Sequence, residues 1–343
     1  MIDRIPSGTR DVLPDEMREL RGVTDRLRTV FERAGYGELY TPALEFERTF
    51  DRASTAGARP SYRMFDEHGN VMVLRSDMTV PIARLVATRY ANSEPPLRFC
   101  YQAHAYRGVR PQRGQSREFL QAGVELIGAA APEGTAEVLS VLCAALDAAG
   151  LRTYRVGLGD ASLYPTLLRT VGVPAEHHER ILEELVVGDF VGVEREISAL
   201  KLQPQDTQLL LKVPHIRGGP EVLEELSGAL ERPLRGMRDV LALLEPSVAE
   251  RIIFDLGLVR SLGYYTGAVF QIYDPAFGMP IGRGGLYDDL LETFGHPMPA
   301  VGFALNVERL HIALTSEEGL TRRGTTHAAD SPARPAAARR RSA

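Results

Sequence analysis

The chain has 343 residues, 44% of them apolar and 25% charged, the composition of an ordinary soluble globular protein with room for two or three domains. It holds no run of about 18 apolar residues, which excludes a membrane-spanning helix. Its formal net charge of −5 argues against a general nucleic-acid binder.

The N-terminus is charged from its third residue and lacks the apolar segment of a secretory signal, so a cytoplasmic protein is expected. Residues 6–14, PSGTRDVLP, are turn-rich. A helix is predicted from Asp15 to Ala34, with Leu20, Val23, Leu27, Val30 and Phe31 on one stripe and Gly35 stopping it. Tyr36–Tyr40 reads as a short strand, which Pro42 confines to an edge, an end or an interface. Residues 54–70 form a polar loop with a hairpin near His68-Gly69-Asn70. Val71–Leu74 is a strand, and an amphipathic helix carrying Ile82, Leu85 and Val86 runs to about Tyr90. Asp77 and Thr79 are candidate caps for that helix, and helix starts often double as ligand sites.

The stretch Leu97–Gly128 organises the rest. Phe99, Tyr101, Ala103 and Ala105 alternate at a strand's period of two. A basic, turn-rich loop follows with Arg110, Arg113 and Arg117. On the second strand Leu120, Ala122, Val124 and Leu126 read as core, while Gln121, Gly123 and Glu125 share the other face. A glycine within a strand often marks close approach of a ligand. With Arg107 beside it, this face offers a carboxylate, an amide and a guanidinium, groups able to hold an amino acid's ammonium, side chain and carboxylate. A solvated strand face is the plainer alternative.

An Ala/Leu/Val-rich helix is predicted over 132–149 and a strand near Tyr154–Leu158. Residues 162–248 carry a helical pattern broken by prolines, a candidate inserted domain, with His177 and His178 read as solvated surface. Strands resume near Arg251. Gly282-Arg283-Gly284-Gly285 reads as a Gly-rich turn into a helix over 287–294, a weak phosphate-binding signal by itself. Ala300–Leu305 is a buried strand, and Asn306 caps a helix whose first turn holds Arg309. Cys100 and Cys143 lie in apolar segments without CxxC spacing, so they read as core residues of a reducing compartment, with no metal site. The Ala/Arg-rich tail, 319–343, is expected to be disordered.

In this order the motifs resemble the catalytic core of the class II aminoacyl-tRNA synthetases, in particular the histidyl type, over roughly residues 3–315. Residues 74–79, LRSDMT, resemble the family's LRPE-x-T segment. Arg107 through Gln121 resembles motif 2, and GFALNVERL resembles motif 3. LVRSLGYYTGAVF is close to the histidine-specific LVRGLDYYTGTVFE. The resemblance implies an α+β fold, an antiparallel sheet flanked by helices. Core halves are expected at 1–161 and 249–318, with dimerisation through the motif 1 region, Tyr36–Glu45. It also implies a histidine site of Asp77, Thr79, Arg107, Gln121, Glu125, Arg260, Tyr264 and Tyr265, and a vestigial nucleotide site with Arg117 and Arg309.

The departures bear on activity. The family's Arg-x-Glu in motif 2 becomes Arg107-Gly108-Val109, and its Gly-Gly-Arg-Tyr-Asp becomes Gly284-Gly285-Leu286-Tyr287-Asp288. The RGLDYY aspartate becomes Gly263. The anticodon-binding domain expected after motif 3 has no counterpart in this sequence. Amino-acid contacts retained beside eroded nucleotide contacts resemble the regulatory subunits of ATP phosphoribosyltransferase. That resemblance implies no chemistry of its own, no cofactor, no tRNA, and a short-form catalytic subunit as partner in a hetero-octamer. It also implies histidine as the feedback effector. The alternatives are a truncated histidine-adenylating enzyme and a stand-alone histidine-binding module.

Overall fold

The structure, a computed structural model, describes the backbone of residues 5–53, 62–108, 116–224, 226, 230–258 and 263–329, and side chains among these up to residue 320. The chain opens with α1 (Pro14–Arg33), which has proline in its first turn, Asp15 and Glu16 at the positive end of its dipole, and Leu20, Val23, Leu27 and Phe31 buried. Next come β1 (Gly37–Glu38), β2 (Leu44–Phe46), α2 (Glu47–Ala53), β3 (Arg63–Phe65), β4 (Val71–Leu74) and α3 (Thr79–Arg89). The central hairpin is β5 (Leu97–Tyr106) and β6 (Glu118–Ile127), paired in register over ten residues. Residues 109–115 of the basic loop, Arg110 and Arg113 among them, lie outside the described residues. α4 (Glu133–Ala149) and β7 (Arg155–Asp160) complete the first half.

A mainly helical stretch follows: α5 (Leu163–Val171), α6 (Ala175–Val187), α7 (Phe190–Ala199), α8 (Pro204–Lys212), the two-residue β8 (Arg217–Gly218), α9 (Glu231–Leu243) and α10 (Pro246–Ala249). The chain returns through β9 (Ile252–Asp255), β10 (Ala268–Tyr273), β11 (Gly282–Leu286), β12 (Ala300–Asn306) and α11 (Val307–Ala329). Among the described residues, nine strands form one sheet in the order β1-β5-β6-β12-β11-β10-β7-β9-β8, and β2-β4-β3 form a small second sheet. All neighbours in the large sheet are antiparallel except β1/β5 and β7/β9.

The large sheet is buried on both faces, and this positions the site. One face, with Cys100, Ala122, Val124 and Leu126, packs against α1, α4 and the helical stretch. The other, with Phe99, Tyr101, Val269 and Ala300, packs under Met78, Ile82 and Val86 around α3. The solvated alternative for β6 therefore fails: Gln121 and Glu125 are 6% and 1% exposed. Both cysteines are free and buried, as core residues.

The glycine-rich segment at 282–285 is a strand, not a turn. It pairs with β10 and β12 along its length, and it is followed by a short 3-10 turn at Glu292–Phe294 in place of the expected helix. Its glycines answer to sterics. A Cβ at Gly284 would collide with the Gly302 carbonyl and the Phe270 ring, and one at Gly285 would stand 2.8 Å from the Tyr265 ring. The backbone of α11 continues to Ala329 where a tail was expected from 319; Leu320, Arg322, Arg323, Ala328 and Ala329 are the helix-favouring residues of that stretch. Residues 330–343 lie outside the described residues. His178 is half-buried and shares a 2.8 Å hydrogen bond with the Val173 carbonyl, so it closes the turn before α6 and is not a solvated side chain.

Candidate functional site

Strand β6 supplies the floor of the site. Its residues Gln121, Gly123 and Glu125 pair with Asn306, Ala304 and Gly302 on β12 and with Ala103, Tyr101 and Phe99 on β5. Gly123 has no room for a side chain, because Tyr101 Oη would lie 2.6 Å from a Cβ there. At Gly302 a Cβ would collide with Oε2 of Glu125. The Glu125 carboxylate thus lies flat against β12 over a glycine.

Two hydroxyls hold that carboxylate. Thr79 Oγ1, from the first turn of α3, donates to Oε1 at 2.7 Å, and Tyr287 Oη donates to Oε2 in a short hydrogen bond. Asp77 is 7% exposed; its Oδ1 accepts the Val80 N–H at 3.1 Å, so it caps α3 while it lines the same cavity. Burial raises the Glu125 carboxyl to about 8; the Tyr287 and Thr79 hydrogen bonds pull it down and the Asp77 charge pushes it up. No cation pairs with Glu125 among the described residues. Gln121 Oε1 is buried without a hydrogen-bond partner among the same residues. A buried carboxylate lacking a cation and a buried acceptor lacking a donor are both costly, and a cationic donor ligand would relieve both.

These groups open on a cavity of about 800 Å³. Its wall includes Asp77, Thr79, Arg107, Gln121, Glu125, Tyr264 and Tyr265, so the structure gathers these seven from β6, the end of β5, the start of α3 and the segment before β10. The Arg107 guanidinium lies 4.6 Å over the Phe119 ring. Tyr264 packs edge-on against Tyr265 and Tyr287, at 5.1 and 5.8 Å between ring centroids. Arg260 lies outside the described residues. Arg309 lines the cavity, but its guanidinium donates to the Pro280 carbonyl at 2.8 Å while its N–H is capped by Asn306. Arg117 is absent from the wall; its side chain stacks on Gly8, where a Cβ would meet Cγ at 3.0 Å.

Sequence reasoning passed over Tyr287 and Gly302. Tyr287 had a signal, since it stands in the Gly-Gly-Leu-Tyr-Asp segment; Gly302 had none, because its role exists only through its cross-strand neighbour. Arg283, from the segment taken for a turn, also faces the cavity. No cluster of three or more metal-ligating side chains occurs, and no helix is long and apolar enough to cross a membrane, among the described residues.

An antiparallel sheet with a polar pocket on one face, entered beneath a capped helix, defines a class II aminoacyl-tRNA synthetase-like protein. The family model described as histidyl-tRNA synthetase matches residues 8–310. The ATP phosphoribosyltransferase regulatory subunit of Desulforamulus reducens is 39% identical over 322 residues, covering 92% of this chain and 80% of that one. That of Moorella thermoacetica is 40% identical over 317 residues, covering 90% and 82%. A crystal structure described as an ATP phosphoribosyltransferase regulatory subunit/histidyl-tRNA synthetase, from Bacillus halodurans, superposes with a TM-score of 0.84 at 32% identity, covering 96% of this chain and 91% of that one. The chain belongs to the family of ATP phosphoribosyltransferase regulatory subunits.

Proposed function

We propose that this chain is the non-catalytic subunit that a short-form ATP phosphoribosyltransferase needs for activity, and that it relays feedback inhibition by histidine in the first step of histidine biosynthesis. The observation that carries this reading is the buried Glu125 carboxylate, served by two hydroxyls and no described cation, beside the orphaned Gln121 acceptor. Histidine brings what both lack. Its ammonium or imidazole meets Glu125, Asp77 and Gln121; Tyr264 and Tyr265 shape the imidazole slot; and Arg107 and Arg260 receive the carboxylate.

Loss of nucleotide chemistry supports the non-catalytic role. Adenylation requires positive charge clamped on the phosphates and on the developing charge. Here Arg309 is drawn onto a backbone carbonyl, Leu286 replaces an arginine, and Leu286 is buried against Gly267 on the far side of its strand. Homodimerisation through 36–45 within a hetero-octamer fits the exposed Tyr40, Leu44, Phe46 and Phe65 on that flank. Residues 162–248 are then a domain inserted between the two halves of the core, and the assembly works in the cytoplasm. Coupling between histidine and the partner is reciprocal, typically about 1–3 kcal/mol.

Histidine-dependent exchange of pyrophosphate into ATP tests the reading. No exchange is expected from a sample that binds histidine by calorimetry and activates the catalytic subunit of the same organism. Exchange above background would move the chain to the adenylating enzymes. Histidine binding without activation of that subunit would leave a stand-alone binding module.

A further inference from the structure

Within residues 162–248, β8 is the one strand among the described residues, and it adds the helical stretch to the edge of the large sheet. It pairs with β9, and Arg217 stands opposite Asp255. Asp255 is 4% exposed and has both carboxylate oxygens engaged. Its Oδ2 accepts from the Arg217 guanidinium at 2.8 Å, and its Oδ1 accepts the Gly257 N–H at 3.0 Å. One side chain thus closes the turn after β9 and fastens that turn to β8. Burial pushes the Asp255 carboxyl up, and the Arg217 charge pulls it back.

The backbone tightens the same junction. The Leu256 N–H donates to the Ile216 carbonyl at 3.1 Å. Gly257 packs so closely on the end of the helical stretch that a Cβ there would stand 2.2 Å from the Pro214 carbonyl oxygen. From the sheet side, Gly159 lies opposite Val269, on the face that carries the histidine site. A Cβ at Gly159 would stand 2.6 Å from the Asp255 carbonyl oxygen and 2.9 Å from Cβ of Leu258, so this glycine lets the turn cross β7 at close range.

The clamped turn reaches the site through packed side chains. Leu258 enters the apolar cluster that also holds Tyr265 and Tyr287. Tyr264 packs edge-on against Tyr287, whose hydroxyl holds Glu125. A close-packed interior transmits a displacement at one end of such a chain to the other.

We infer that Asp255 is a positioning residue of the histidine site, and that the Arg217–Asp255 pair makes the shape of that site answer to the helical stretch 162–248. This inference rests on the histidine reading above. The pair is asymmetric: the Asp255 side chain is 6% exposed and that of Arg217 60%. A change in the helical stretch therefore acts on a buried carboxylate by moving or withdrawing one guanidinium. By linkage, histidine binding strengthens the pair in return.

Calorimetric titration of the full-length chain with histidine tests this. Asp255→Asn and Arg217→Gln should each weaken histidine binding about tenfold, the worth of a hydrogen bond to a charged group. The double variant should bind no more weakly than the weaker single one, because the two residues act as a unit. Arg217→Lys, which restores a cation, should recover most of the loss. Amide hydrogen exchange gives a readout that a general loss of stability does not: exchange at 263–267 should quicken in Arg217→Gln while β5 and β6 stay protected as in the parent. The exposure of Arg217 keeps that variant folded even where Asp255→Asn is not. Parental histidine affinity in Arg217→Gln would overturn the inference, and so would losses that add in the double variant; weakened binding by Glu125→Gln in the same titrations would leave the histidine reading in place. A parent chain that binds no histidine would remove that reading and this inference with it.

Discussion

The Tyr287 hydroxyl donates its hydrogen bond to the Glu125 carboxylate from just beyond a strand two positions away in the sheet order, over a sequence separation of 162 residues. Tyr287 follows β11 and Glu125 sits on β6, so the pair ties the two halves of the chain together at the floor of the cavity. Thr79 completes the hold from α3. Every oxygen of Glu125 is thereby oriented before a ligand arrives, which lowers the ordering cost of binding.

Glu125→Ala is expected to weaken histidine binding while leaving assembly with the catalytic subunit intact. Glu125→Gln, which keeps the shape, should weaken it roughly ten- to hundredfold, the worth of about 1.5–3 kcal/mol for a hydrogen bond to a charged group. Tyr287→Phe should cost about tenfold through the loss of orientation alone. Calorimetric titration measures all three; unchanged affinity in the Glu125 variants would reject the assignment.

Glu125 also makes the free protein sensitive to pH. Burial raises its carboxyl to about 8 in the folded chain, against roughly 4.3 for an unfolded glutamate. Between those values the folded state holds a proton that the unfolded state has lost. Its contribution is therefore fully present below about pH 4 and is lost as pH rises through about 8, on the order of a few kcal/mol. Denaturant unfolding at several pH values should show stability falling from roughly pH 5 to 8, and Glu125→Gln should flatten that part of the profile.

Ligand binding runs the other way. A cation placed beside Glu125 favours the carboxylate, so histidine binding near pH 7 should release about one proton and tighten as pH approaches 8. Titrations in buffers of different ionisation enthalpy count that proton. A binding enthalpy independent of buffer would mean that Glu125 is already ionised in the free protein.

Gly302→Ala should damage both fold and site. The added methyl would meet Glu125 Oε2 and the Val124 carbonyl, neither of which can retreat within the sheet. A loss of about 1–3 kcal/mol is expected, with histidine binding reduced at least as far as in Glu125→Gln. Wild-type affinity in a folded Gly302→Ala protein would show that Glu125 does not need its present position.

Arg75 anchors the approach to the site. It is 2% exposed, and its guanidinium donates to the carbonyls of His104 at 2.7 Å and Thr41 at 2.5 Å, joining the end of β5 to the segment before β2. Arg75→Lys replaces a planar fork by a point donor and should cost about 1–3 kcal/mol in stability. Thermal unfolding would show it; a change within about 0.5 kcal/mol would mean that water takes over these carbonyls.

The amino-acid sequence by itself determined the long elements and most of the side chains that line the cavity. Helix α1, the β5–β6 hairpin, α4 and β12 are long enough for a period of 3.6 or 2 to show. Asp77, Thr79, Gln121, Glu125, Tyr264 and Tyr265 stand in ordered local motifs, so both their type and their spacing are legible. Three-residue strands such as β2 and β3 carry no period. The segment 282–286 looks like a turn because its glycines are chosen for neighbours on β10 and β12, not for local conformation. Only the tertiary structure decided that Tyr287 meets Glu125, that Gly302 lies under that carboxylate, and that Arg309 turns back to Pro280. The physical reason is range: helix and strand patterns are set by neighbours a few residues apart, whereas close approach, burial and the shift of a buried carboxyl depend on atoms brought together across the whole sheet.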